Sequence, residues 1–321
     1  MTQQQFGETN LDKLFVNIER FRTSSYFRDL LDMCRRFRHL SPYNAMLVNM
    51  QKPSARYVLR EKEWKEQFHR IIKPNAQPLI ILVPFGPVDY LFEISDTEGT
   101  DLFNSSDDDI LDFLAHPYKT KNEVPHSLLN HLINCCACHG ISFDTKMNAG
   151  AGYGGKIEML KTSTNKIRIP INKDNYIFEP ASYLISINKN AGYGQQFATI
   201  AHELGHLFCR HLSAPSGWNK WQVRDISLEG KEFEAEAVSW LICERLNIGN
   251  PSEYYLSTYL GNNKHIPNGV SIEAIFHAFN NIWNMSQEGV VLYVKEGLMY
   301  KNNQQFKEIV DKRLKELKQQ N

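Results

Sequence analysis

The sequence has little that would place it in a specialised class. Lysine plus arginine number 36 and aspartate plus glutamate 36, so the net charge is zero. No apolar run approaches the ~20 residues that a bilayer crossing needs, which argues against a membrane partner. The opening stretch "MTQQQFGETNLDKLF" is polar and carries no hydrophobic signal region, so a cytoplasmic chain is expected. There is no internal repeat and no long low-complexity tract, which argues against a solenoid. Cysteines are few: Cys34, Cys135, Cys136, Cys138, Cys209 and Cys243. In a reducing compartment these are expected as free thiols in or near the core.

What is present fits an ordinary globular protein. The 321 residues are enough for about two domains. The charges are segregated. From Lys13 to Lys73 there are 14 Lys/Arg against 6 Asp/Glu, and from Asp89 to Asp112 nine acids without a Lys or Arg. A basic stretch of that kind suits a polyanion, and the acidic one would repel it.

"LSPYNAMLVNMQKP" reads as a helix with Ser41 as N-cap, Pro42 at the first helical position and Pro53 as its stop. "REKEWKEQFHRI" reads as a short charged helix. "PLIILVPF" and "VDYLFEIS" read as strands, and "TEGTDLFNSSDDD" as a loop. "SLLNHLINCCACHGI" predicts an amphipathic helix ending at Gly140. "GGKIEML" and "SYLISIN" predict strands, the second an exposed edge that could align a peptide. "CCACH" matches the haem c attachment pattern, but it falls inside a good amphipathic helix and reads as packed thiols. "KEFEAEAVSWLICERL", "SIEAIFHAFNNIW" and the tail "KEIVDKRLKELKQQN" read as helices.

The segment with the most chemistry is "ATIAHELGHLFCRH". Residues four apart share a helix face, so His202 and His206 can grip one ion. Glu203 lies beside the first histidine, placed to act as general base on water. A third ligand must come from elsewhere. His211 is out of register for one metal-peptidase class and reads as a surface residue. The glutamates Glu232, Glu234 and Glu236 are the next candidates. Glu236 is preferred, because it shares a face with the small residues Ser239 and Cys243. Glu232, a turn earlier, would orient a histidine, and Glu234 would be solvated. Zn2+ suits two histidines and a carboxylate.

Two blocks resemble a known family. "SPYNAMLVNMQKPSARYVLREKEWKEQFHRIIKPNAQPLIILVPF" resembles the N-terminal single-stranded DNA-binding domain of ArdC-type antirestriction proteins. "GQQFATIAHELGHLFC" with "EFEAEAVSWLICERL" is similar to their ImmA/IrrE-type zinc metallopeptidase domain. The resemblance implies an α+β chain: a small mixed α/β N-terminal domain (1–120) followed by a zincin-like, gluzincin-type domain (121–290); the residues after it read as a basic helical tail (291–321). It implies His202, His206 and Glu236 as zinc ligands and Glu203 as base. The implied partners are single-stranded DNA and a protein substrate, in a protein of a mobile element or phage. Single-strand binding needs cations and aromatic faces; Arg35, Arg36, Arg38, Tyr43, Asn44, Arg56 and Arg60 are the candidates. The alternative is a non-enzymatic DNA-protection protein with a structural zinc.

Overall fold

The computed structural model describes residues 24–37, 39–83, 88–99, 124–147, 155–161, 164–248, 256, 266–287 and 291–319. The chain divides into two compact units, Met1–Lys119 with Thr258–Ile266, and Thr120–Ser257 with Pro267–Asn321. Helices and strands are mixed, an α+β architecture.

In the first unit, helix α1 (Ser24–Arg36) buries Phe27, Leu30 and Leu31. Helix α2 (Pro42–Gln51) starts where the sequence predicts. Ser41 is extended, and its Oγ accepts the Asn44 N–H at 3.3 Å. Pro42 follows at the first position, where its missing N–H costs nothing. Strand β1 (Val58–Leu59) leads to helix α3 (Glu61–Phe68). This helix is shorter than its sequence suggests. His69 takes a left-handed conformation (φ 52°) and ends it, and the chain leaves as β2 (Arg70–Ile72).

The expected strands β3 (Leu79–Ile81) and β4 (Asp89–Glu93) pair antiparallel. The acidic stretch is not all loop: β5 (Thr97–Gly99) pairs with β2. The larger sheet has the order β1-β4-β3. Leu79, Ile81 and Leu91 pack with Phe37, Val48 and Val58 into its core. Trp64 is fully buried beside Leu59 and donates its indole N–H to the Phe92 carbonyl at 2.8 Å. A buried indole with a satisfied N–H is the favourable way to bury tryptophan.

Strand β3 is an edge, and α2 closes it. Asn44 Nδ2 donates to the Leu82 carbonyl at 2.9 Å, and Asn44 Oδ1 accepts the Leu82 N–H at 3.0 Å. Gln51 makes the same pair of bonds to Ile80, both 2.8 Å. Two helical turns separate Asn44 from Gln51, so both point to one face.

The second unit opens with helix α4 (His126–Cys136), which tightens into a turn, Ala137–His139, and stops at Gly140 (φ 79°). The left-handed conformation there suits glycine. Strands β6 (Ile141–Met147), β7 (Gly155–Met159), β8 (Lys166–Pro170), β9 (Tyr176–Pro180) and β10 (Tyr183–Asn188) follow. The main sheet is ordered β6-β10-β7, with β10 parallel to β6 and antiparallel to β7. "YLISIN" is therefore the central strand and not an exposed edge. Its backbone is paired on both sides, and Tyr183, Ile185 and Ile187 are buried. Strands β8 and β9 form a separate antiparallel pair.

Helix α5 (Tyr193–Phe208) carries the histidine motif. Phe197, Ile200, Ala201 and Leu204 recur at helical spacing and are buried. Burying a side chain of leucine size contributes roughly 1.5–3 kcal/mol. Helix α6 (Leu228–Leu246) packs along α5. The backbones approach closely at Gly205 and Ala235, and Ser239 Oγ donates to the Ala198 carbonyl at 3.0 Å. Helix α7 (Ile272–Met285) packs on both. The short α8 (Leu298–Asn302) and α9 (Gln304–Gln319) complete this unit.

Candidate metal centre

The buried stripe of α5 leaves His202 and His206 together on its other flank. Their rings meet edge to face, centroids 4.9 Å apart, and the two Nε2 atoms are 3.1 Å apart. From α6, Glu232 places Oε2 3.4 Å from His202 Nε2 and Oε1 3.6 Å from His206 Nε2. Among the described residues, these three form a group whose ligand atoms all lie within 4.8 Å of one another.

Glu236 is placed differently from the sequence expectation. Its Oε1 lies 3.4 Å from His202 Nδ1, on the side of the ring away from the shared Nε2 space. Glu232 faces both Nε2 atoms, and Glu236 backs one ring. The structure thus places Glu232, rather than the expected Glu236, beside both Nε2 atoms.

The electrostatics follow from this packing. Burial alone would lower the His202 pKa, but hydrogen bonds to Glu232 and Glu236 outweigh it and raise the value to about 10. The nearby imidazoles of His202 and then His206 hold Glu232 well below the usual carboxylate range. Glu203 is buried, and its Oε2 accepts the Ile157 N–H of β7 at 2.8 Å. Burial pushes its pKa up, against the pull of both histidines.

Two expectations near the site are corrected. Glu234 is not solvated but fully buried. It pairs with Arg224, accepts the Ser271 N–H at 2.6 Å, and lies 2.9 Å from His211 Nε2. His211 is likewise buried rather than on the surface. A charged side chain can sit there because each of its oxygens has a partner. Cys209, His211 and Glu234 also bring possible ligand atoms together. The Arg224 guanidinium already pairs with that carboxylate, however, and burial holds the Cys209 thiol well above its ordinary pKa. Those features disfavour a cation there.

The "CCACH" cysteines are packed thiols. Cys135, Cys136 and Cys138 are buried and free, and Cys138 Sγ donates to the Leu292 carbonyl at 3.2 Å.

The residues expected to contact DNA are distributed unevenly. Arg36 Nη1 donates to the Pro53 and Ala55 carbonyls at 3.4 and 3.3 Å. Arg60 pairs with Asp89 at 2.5 Å and Glu63 at 3.1 Å. The Asn44 amide is hydrogen-bonded to the Leu82 backbone. Arg56 is exposed and Tyr43 half-buried. The Arg35 side chain and Arg38 lie outside the described residues.

No family model, no curated protein and no solved structure matches this chain.

Proposed function

We propose that this chain is a zinc-dependent hydrolase of the zincin type that cleaves a peptide bond in a protein substrate. One observation carries the reading: both histidine Nε2 atoms and the Glu232 carboxylate converge beside a buried Glu203. Two imidazoles and one carboxylate are a donor set that zinc takes in catalytic sites, with a fourth position left for the reacting group. His202, His206 and Glu232 would hold the ion. When bound, zinc polarises a scissile carbonyl and makes water more acidic.

Glu203 would take the proton from the attacking water and deliver it to the leaving nitrogen. Its raised pKa suits a group that must both accept and return a proton. Among the described residues strand β7 is at the sheet edge, and its Ile157 N–H donates to Glu203. An extended peptide pairing along β7 would run past the base.

Single-stranded DNA binding by the first unit is proposed on the resemblance of residues 41–85, together with the basic balance of that stretch. Its measure is affinity for a single-stranded oligonucleotide across salt, where release of counterions gives a steep loss.

The test of the hydrolase is elemental analysis of the purified chain together with cleavage of a peptide library by the wild type and Glu203→Gln. One zinc per chain in both proteins, with cleavage only in the wild type, is expected. Absence of zinc from the wild type overturns the reading. Antirestriction that survives Glu203→Gln with zinc retained assigns the protein to DNA shielding with a structural metal.

A further inference from the structure

The geometry points to a buried positioning relay, Glu234–His211–His206, that fixes which nitrogen of His206 carries its proton and so keeps Nε2 free for the metal. This rests on the metal site proposed above and adds residues that touch no ligand themselves.

The distances define a chain of single protons. His206 Nδ1 is 2.9 Å from His211 Nδ1, and His211 Nε2 is 2.9 Å from Glu234 Oε2. A carboxylate only accepts, so His211 must donate from Nε2. A neutral imidazole that donates from one nitrogen accepts at the other, so His211 Nδ1 is an acceptor. The hydrogen between the two Nδ1 atoms then belongs to His206. That leaves the lone pair of His206 on Nε2, the atom facing His202 Nε2 and Glu232. The opposite tautomer would place a hydrogen where a metal must bind.

The anchor of the relay is well held. Glu234 has no exposed surface, and Arg224 and the Ser271 N–H bind its two oxygens. Arg224 Nη2 donates in turn to the Gly269 carbonyl at 2.6 Å. Because Arg224 already supplies the positive charge opposite Glu234, a neutral His211 completes the set.

The middle member is placed by an unusual piece of backbone. Arg210 is left-handed at φ 61°, a conformation that side chains other than glycine, Asn or Asp rarely take. It folds the chain back after α5, so that the His211 N–H reaches the His206 carbonyl at 2.9 Å. His211 thus returns over the ring it supports. Partners of this kind, which hold a ligand histidine from behind, typically change metal affinity 10–100-fold when removed.

The experiment has two arms on the full-length chain. The first is nitrogen-15 NMR of the histidine rings in metal-free wild type. Protonation of His206 on Nδ1 and of His211 on Nε2 is expected. Protonation of His206 on Nε2 overturns the relay, whether or not the chain binds metal. The second arm measures zinc affinity by chelator competition for wild type, His211→Phe, His211→Gln and Glu234→Gln. His211→Phe should weaken zinc binding about 10–100-fold. His211→Gln, whose amide oxygen can accept the His206 Nδ1–H, should recover part of the loss. Wild-type affinity in His211→Phe overturns the proposal. If wild type takes up no zinc while the expected tautomers are present, the metal reading fails and the relay stands. A variant that does not fold leaves the first arm to decide.

Discussion

Gly205 and Ala235 bring the backbones of α5 and α6 into direct contact. A Cβ at position 205 would stand 3.1 Å from Ala235 Cα and 3.4 Å from its carbonyl oxygen. A methyl group there is tight, and the neighbouring backbone would have to give by a few tenths of an ångström. The contact sits between His202 and His206 on one helix and Glu232 and Glu236 on the other, so it sets the spacing of the donors. Gly205→Ala should cost about 1–3 kcal/mol in urea unfolding through overpacking, and zinc affinity should fall with it. Unchanged stability and unchanged affinity would show that the helices slide freely and that the contact does not set the site.

Glu232 and Glu236 differ in which histidine nitrogen they face, and zinc titration separates them. Glu232→Gln removes a donor, so stoichiometric zinc uptake should be lost. Glu236→Gln removes only the group behind His202, so one zinc should still bind, about 10–100-fold more weakly. The reverse ranking would return Glu236 to the coordination sphere.

His139 should make the second unit sensitive to acid. It is buried, its Nδ1 accepts the Leu298 N–H at 3.3 Å, and its ring meets Phe208 edge-on. Burial, with a smaller push from Lys301, pulls its pKa from 6.5 down to about 3. Between those values the unfolded chain holds a proton that the folded chain does not. Stability is therefore complete above pH 6.5 and falls as pH drops toward 3, by about 1.4 kcal/mol per unit. Urea midpoints measured from pH 7 to pH 4 should fall less steeply in His139→Gln than in the wild type. Parallel slopes would assign the acid sensitivity to other groups.

Arg210 pays for its left-handed backbone. Arg210→Gly should keep or raise stability, by up to about 1 kcal/mol, since glycine adopts that conformation without steric cost. Arg210→Val should destabilise, because a β-branched residue is poorly accommodated there. Thermal melts of the two variants give the comparison, and a more stable valine variant would refute the turn.

The histidine pair was legible because its information is local: four residues on one helix define a shared face. Reading "EFEAEAVSW" correctly separates Glu234 from Glu232 and Glu236, since alternate residues point to different sides. The choice between Glu232 and Glu236 depends on how far α6 slides along α5, and that is fixed by the Gly205–Ala235 contact. The small residues used as a guide, Ser239 and Cys243, lie further along the helix than the closest approach. Glu234 was misread because charged residues are seldom buried without partners. Its partners Arg224 and His211 come from the segment between the helices, which carries no periodic signal. Strand β8 did have one: Ile167 and Ile169 alternate with exposed Lys166 and Arg168, the period of a half-buried strand. The bonds from Asn44 to Leu82 are not legible because the sequence does not show that β3 lies opposite it.

The clasp of Asn44 and Gln51 on Ile80 and Leu82 also bears on self-association. Ile80 is 41% and Leu82 37% exposed, so an open β3 would offer apolar side chains and unpaired amides in one row. Such a row is a template on which other extended chains stack. With two carboxamides occupying the N–H and C=O groups of those residues, the strand has nothing left on that side with which to recruit another. The helix that carries the nucleic-acid candidates Tyr43 and Asn44 thus covers that side of the strand.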